Sequence, residues 1–231
     1  MIQKLTLPNV LEYSPESYEV LPLENFKIMD NAAIEYGLDI PIMMEHAGYQ
    51  LAKFVYQMAN RPNRVVIGVG PGNNGGGGLV AARRLQGWGI ETSLHIISDN
   101  GNSFMQEHLS RSIKFGVSTS PEWDADVFID AYLGFSQRLP LDEKFERVVK
   151  HVNRLDSLKI SLDLPTGIGD KELMILPDAV LTLAAPKTVL TDIRNISPVF
   201  IADIGIPFSI YRMFGFTKPL PFESDGFIQW I

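Results

Sequence analysis

The sequence contains no cysteine, which excludes a disulfide framework, a thiolate nucleophile and any cysteine-ligated zinc or iron–sulfur centre. Histidine is scarce as well, and the four present are scattered at His46, His95, His108 and His151. Lysine and arginine never run longer than a pair, and the net charge is −7 with a pI near 5.1. An electrostatic footprint for RNA or DNA is therefore missing, and nucleic acid is not an expected partner. No stretch of about 18 apolar residues is present, so no membrane-spanning helix is expected. The opening MIQKLTLPNVLEYSPESYEV places prolines and acidic residues where a secretory leader needs an uninterrupted apolar run, and a cytoplasmic location is expected. Trp88, Trp123 and Trp230 show no pairing that suggests base stacking, so packing is their default role.

What is present fits a single α/β domain: 231 residues, 45% of them apolar, suffice for one closed core and are short for two. Residues 1–21 carry Pro8 and Pro15 with little periodicity and read as an irregular arm, leaving 22–231 as the domain. Phe26, Met29 and Ala33, then Met43, Met44, Ala47, Leu51 and Phe54, recur at three- and four-residue steps on either side of GLDIP, which predicts two helices and a turn. RVVIGVG (64–70), ETSLHIIS (91–98), DVFIDAYLG (126–134), KISLDLPTG (159–167), DAVLTLAAP (178–186) and PVFIADIGIP (198–207) read as strands. Helices are expected at 79–85, 103–115 and 142–155, and a proline- and aromatic-rich tail closes the chain. Strands alternating with helices of this length predict a Rossmann-like three-layer αβα sandwich with a mostly parallel sheet.

Ligands of such sheets bind beyond the carboxyl ends of the strands, so the residues leaving strands matter most. GPGNNGGGG (Gly70 to Gly78) is read as a strand-to-helix loop whose six glycines let backbone amides approach a phosphate. It fits neither the P-loop nor the GxGxxG pattern, because no lysine follows the last glycine and Asn73 and Asn74 sit where those motifs use backbone alone. Asp130 ends an otherwise apolar strand, where an unpartnered carboxylate is costly, and a catalytic, metal or ligand role follows. Asp163, also at a strand end, is open to a turn-stabilising or a functional reading. Lys187 leaves its strand toward the same side. His46 sits on a helix beside apolar neighbours and is left out of the site.

Taken in order, MMEHAG (43–48), GPGNNGGGGL (70–79), DAYLGFSQRLP (130–140), DLPTG (163–167), TLAAPK (182–187) and ADIGIP (202–207) resemble the motifs of the NAD(P)HX epimerases, also described as YjeF N-terminal domains or apolipoprotein A-I binding protein. The resemblance covers roughly residues 22–212. It implies interconversion of the two epimers of hydrated NADH or NADPH, with a separate dehydratase acting on the product. It further implies one potassium ion held by Asn74, Asp130 and Thr166, where the family usually has serine at the last position. Substrate contacts carried over are Asn73, Asn74, Gly75, Gly76 and Gly77, the loop Gly134, Phe135, Ser136, Gln137, Arg138, Leu139 and Pro140, and Asp163. Two departures stand out: the family's GGDG is GGGG here, with Gly77 in place of aspartate, and Phe135 replaces a small residue.

For the chemistry, expulsion of the hydroxyl by the ring nitrogen leaves a planar iminium open from either face, or the ring opens to an aldehyde. Asp130 is the expected acid and base, with Lys187 tuning its charge. Restoring aspartate at Gly77 is expected to raise nucleotide affinity. The competing reading is a nucleotide- or partner-binding scaffold of the same fold, favoured by the altered Gly77. A homodimer is expected from the family and from the apolar PFSIYRMFGF (207–216) and FIQWI (227–231).

Overall fold

A computed structural model describes residues 7, 10–98, 100–170, 172–222 and 226–231. The elements follow in the order β1 (Glu12–Tyr13), α1 (Leu23–Glu35), α2 (Ile40–Met58), β2 (Arg64–Val69), α3 (Asn73–Gly87), β3 (Glu91–Ile96), α4 (Ser103–Lys114), β4 (Val127–Ala131), α5 (Glu143–Val152), β5 (Leu158–Leu162), β6 (Ala179–Leu183), β7 (Val199–Ala202), α6 (Phe208–Met213) and β8 (Phe227–Trp230). The strands form one sheet in the order β1-β8-β7-β6-β5-β4-β2-β3. Every pairing is parallel except β7 with β8. Among the described residues no helix is long and apolar enough to cross a membrane.

The central strands are apolar on both faces, as strands covered by helices on both sides must be. Alternate residues divide between two cores. Val65, Ile67 and Val69 of β2 and Val127 and Ile129 of β4 pack toward α1, α2, α3 and α6. Val66 and Phe128 point the other way, to Phe145, Val149 and Val152 of α5. The three-layer αβα arrangement expected from the sequence is the one observed.

Three readings differ. First, the glycine segment is a helix start and not a loop: α3 begins at Asn73 and carries Gly75 to Gly78 in its first two turns. Glycine costs about 1 kcal/mol per residue against alanine in a helix, and here the loss is offset by close packing. A Cβ on Gly75 would stand 2.0 Å from the Gly70 carbonyl oxygen, one on Gly76 2.2 Å from the Phe104 ring, and one on Gly78 2.6 Å from the Ala131 Cβ. On α2, a Cβ at Gly48 would meet the Val80 Cβ at 2.4 Å and the Gly77 oxygen at 2.6 Å. Second, the tail segment FIQWI supplies β8, with Phe227, Ile228 and Trp230 buried against the chain's own sheet. That surface is consumed by folding, so it no longer argues for a dimer. Third, the arm is partly regular: Glu12 and Tyr13 pair with Gln229 and Trp230 of β8, and Leu21 bridges to Lys187. A two-residue strand has too few positions to show a period. Residues 1–6, 8 and 9 of the arm lie outside the described residues.

The glycines of α3 are not equivalent. A Cβ on Gly77 meets only the Leu162 Cδ2 at 3.3 Å and the Met44 Sδ at 3.8 Å. Gly75→Ala is therefore expected to destabilise the protein by about 3 kcal/mol or more, because backbone must move. Gly77→Ala should stay within about 1 kcal/mol of wild type, the helix-propensity gain offsetting a small shift of Leu162. Urea unfolding of the two variants checks the contrast; equal losses would show that the packing argument is wrong.

Candidate active site

The strand order places β3 on one side of β2 and β4 on the other, so the chain reverses direction across the sheet at β2. A crevice opens beyond the carboxyl ends of the two strands there. It holds a cavity of about 400 Å³, lined by Pro71, Gly72, Asn73 and Asn74 after β2 and by Tyr132 to Gln137 after β4. Asn102, Asp163, Leu183, Ala184, Lys187 and Ile204 complete the strand-side lining, and Phe26, Asp30, Ile40 and Met44 of α1 and α2 form the opposite wall.

The opening of α3 faces this cavity. Gly76 donates its N–H to the Gly72 carbonyl, which leaves the N–H groups of Asn73, Asn74 and Gly75 without an intrahelical acceptor. Such a terminus favours an anion. Asn102 caps α4 by accepting from Met105 N at 2.8 Å and donates through Nδ2 to Asn73 Oδ1 at 2.8 Å, so the cap of one helix fixes a side chain at the start of another.

Asp163 and Lys187 are the electrostatic centre. Lys187 Nζ lies 2.9 Å from Asp163 Oδ1, and both side chains are buried. The ammonium also donates to Thr182 Oγ1 at 2.8 Å and to the Leu183 carbonyl at 2.7 Å, and sits 4.0 Å from the centroid of the Phe26 ring. Burial lowers the lysine's pKa, while Asp163 and Asp30 work to raise it. Phe135 N–H donates to Asp163 Oδ2 at 2.9 Å. Asp163 Oδ1, by contrast, accepts no well-aligned hydrogen bond despite its burial; its contact with Lys187 is a charge pair off the hydrogen-bond direction. Oδ1 is thus buried against the ammonium, which holds it by charge.

The backbone beneath is strained on both sides of this pair. Asp163 has φ +66° and Ala184 also φ +66°. Each is the centre of a γ-turn, closed by Leu164 N to Leu162 O at 2.9 Å and by Ala185 N to Leu183 O at 2.8 Å. Turns of this hand are rare and cost energy, and two of them end neighbouring strands at the same cavity.

Asp130 occupies a different place from the one expected. It is fully buried below the cavity lining. Its Oδ1 accepts from Thr166 Oγ1 at 2.7 Å and Tyr132 N at 3.3 Å, and its Oδ2 from Thr166 N at 2.8 Å and Ser161 Oγ at 2.9 Å. Burial pushes its pKa up to about 6, against the pull of the Thr166 and Ser161 hydrogen bonds. Lys187 pairs with Asp163 and not with Asp130, so it does not tune Asp130 as anticipated. Asn74 stands nearby on α3 and donates to the Leu162 carbonyl at 3.2 Å.

Of the expected substrate contacts, Asn73, Asn74, Gly134, Phe135, Ser136, Gln137 and Asp163 line the cavity. Gln137 donates to the Gly134 and Pro165 carbonyls and accepts from Gly167 N, which ties the β4 loop to the turn after Asp163. Arg138, Leu139 and Pro140 are exposed and outside the lining, and Gly75, Gly76 and Gly77 are buried in helix packing. A carboxylate at position 77 would arise between Leu162 and Met44, where burial without a partner is costly, so the expected gain in affinity from aspartate there finds no support in this geometry. Sequence reading missed Phe26, Asp30, Met44 and Asn102. Asp30 reads as one more acidic residue on an amphipathic helix, and only its one-turn spacing from Phe26 hinted at a shared face.

The YjeF-related protein N-terminus family matches residues 41–189. The bifunctional NAD(P)H-hydrate repair enzyme of Archaeoglobus fulgidus is 33% identical over 204 residues, 85% of this chain and 44% of that protein; the chain thus spans less than half of this longer relative. The NAD(P)H-hydrate epimerase of Dehalogenimonas lykanthroporepellens is 31% identical over 202 residues, 81% of this chain and 82% of that one. A solved yeast structure, ynu0, superposes with a TM-score of 0.82 at 24% identity, covering 91% of this chain and 99% of its own, which establishes the shared fold. With this match over residues 41–189 and relatives above 30% identity along most of its length, the chain belongs to the YjeF-related protein N-terminus family.

Proposed function

We propose that this chain is an NAD(P)H-hydrate epimerase, interconverting the two epimers of hydrated NADH or NADPH. The observation that carries the reading is the buried Asp163–Lys187 pair at a cavity opening onto the start of α3, in a chain whose relatives are named for this activity. The free N–H groups of α3 receive substrate phosphate. The hydrated ring carbon, bonded to nitrogen, loses its hydroxyl as the nitrogen lone pair forms a C=N bond, and water returns to either face. No redox step is needed. The carboxylate for proton handling is Asp163, which lines the cavity, and Lys187 is the positioning charge that holds it.

The potassium ion implied by the resemblance suits the residues around Asp130. That carboxylate is fully buried, bonded only by neutral donors, and paired with no cationic side chain among the described residues. Nor is any cluster of three or more His, Cys, Asp or Glu side chains poised to hold a metal among them. One carboxylate with neutral amide and hydroxyl oxygens is the chemistry of a weakly held hard cation. Asn74, Asp130 and Thr166 would hold it, and when bound it supplies a fixed positive charge that neutralises Asp130 and orients substrate oxygens.

A cytoplasmic location, a separate dehydratase acting on the product, and assembly as a homodimer belong to the same proposal. The dimer rests on exposed Ile28, Ile34 and Tyr36 of the α1 region and Ile42 of α2, apolar side chains that a partner would cover.

The first test is the purified chain with mixed hydrate epimers in KCl. Equilibration is expected, and ADP-ribose at 100 times its dissociation constant should add about 2.7 kcal/mol of stability. Asp163→Asn should keep that stabilisation and lose about 10²- to 10⁴-fold in kcat. No turnover and no stabilisation would favour the scaffold reading. Replacing lithium chloride by KCl at equal ionic strength should raise Tm in wild type and not in Asp130→Asn; an equal rise in both would remove Asp130 from the cation site. Light scattering at micromolar concentration should give twice the 25.8 kDa of one chain, and the monomer mass would refute the dimer.

A further inference from the structure

Inversion at a planar carbon poses a geometric demand that one carboxylate does not meet. The hydroxyl leaves from one face and water arrives at the other, and each event needs its own proton donor or acceptor close by. Asp163 lines the strand side of the cavity. The wall formed by α1 presents a second carboxyl group, Asp30, one helical turn after Phe26, and both residues line the cavity. Phe26 packs under Lys187, which seats α1, and with it Asp30, as the wall that faces the strand ends across the cavity.

Asp30 is otherwise unexplained. It is half-buried, and among the described residues it makes no hydrogen bond and no ion pair. A carboxyl group turned toward an apolar cavity without a partner costs stability.

We propose that Asp30 is the second catalytic acid and base of the epimerisation, working the face of the ring opposite to Asp163; this rests on the epimerase reading above. In one direction Asp30 gives its proton to the departing hydroxyl. The C–O bond breaks, the nitrogen pair forms C=N, and water is released. A water molecule then adds to the other face, its oxygen forming the new C–O bond, while Asp163 takes its proton and the C=N pair returns to nitrogen. Proton exchange with solvent resets the two carboxyl groups. The other epimer runs the same steps with the roles exchanged.

The electrostatics make Asp30 easier to protonate than an ordinary carboxyl group. Burial first and Asp163 second raise its pKa, Lys187 pulls it down, and the balance is a rise to about 6. Those two are the charged groups acting on it from the elements it faces, the end of β5 and the segment after β6. A group raised above its ordinary range is protonated below that value and loses its proton as pH rises through it.

The test uses the full chain in KCl and a single epimer of hydrated NADH, with uncatalysed epimerisation subtracted at each pH. Wild-type kcat/KM is expected to fall as pH rises through about 6. Asp30→Asn should lose about 10²- to 10⁴-fold in kcat with little change in KM, lack that limb, and keep the thermal shift with ADP-ribose. Asp30→Glu should recover part of the kcat. If wild type turns over and Asp30→Asn matches its kcat and pH profile, Asp30 is not catalytic, though the epimerase reading survives. A loss confined to KM would also overturn the assignment, by making Asp30 a binding residue. If Asp30→Asn shows no ADP-ribose shift, Asp30→Ser is measured in its place against the same expectations. Wild type without turnover would sink both readings together.

Discussion

Contact between α3 and the strands below it leaves no room for side chains, and the location of the site follows from that. The Gly75 backbone rests on Gly70, Gly78 on Ala131 and Gly48 on the start of α3, so helix and sheet meet at a separation that only glycine permits. This seats the first turn of α3 at the point where strand order reverses, with its unbonded N–H groups directed at the crevice. A wider separation would carry the helix terminus away from Asp163. The glycines thus serve the ligand indirectly, by setting a distance, while the polar contacts come from Asn73 and Asn74 and from the backbone.

Charge in the site is arranged around one ammonium group and three carboxyl groups of unlike surroundings. Lys187 is committed to Asp163, Thr182 and Leu183 and is fixed in place. Asp163 shares itself between the lysine and the Phe135 amide, on a backbone turn that costs energy to hold. Asp130 is enclosed by neutral donors beneath the lining, and Asp30 stands at the wall with none. Groups of identical chemistry are given different partners and different access to the cavity, which is how one side-chain type fills several roles.

Much of this was legible in the sequence because the signals were long or positional. Six strand-like runs, the first four separated by helical patterns, define the parallel sheet, and strand-end placement singled out Asp163 and Lys187 before any geometry was known. Three things were hidden for physical reasons. Runs of glycine carry the local propensity of a loop, and only tertiary contact makes Gly75 to Gly78 helical. β8 lies in a tail whose antiparallel partner, β7, precedes it by a helix and a turn-rich stretch, so nothing local marks FIQWI as a strand. Burial of Asp130 below the cavity depends on which way a strand residue points; its strand, apolar at every position, offers no alternation to tell. Asp30 could be found only once α1 was placed over the strand ends.

The bridge between Leu21 and Lys187, in which Leu21 N–H bonds the Pro186 carbonyl and Thr188 N–H bonds the Leu21 carbonyl, has a bearing on time as well as space. The segment that carries Phe26 and Asp30 is made early in synthesis, whereas the residues it must dock against follow β6, more than 150 residues later in the chain. While the chain is being made, the first helix has no seat, and its apolar face must wait, shielded or paired elsewhere, until β6 and the lysine after it have emerged. Closing so long a loop is entropically costly, and the contact order it imposes slows the final step of folding. A half-made chain therefore holds the glycine-rich helix start but neither the ion pair nor the α1 wall, and chemical competence arrives all at once, late.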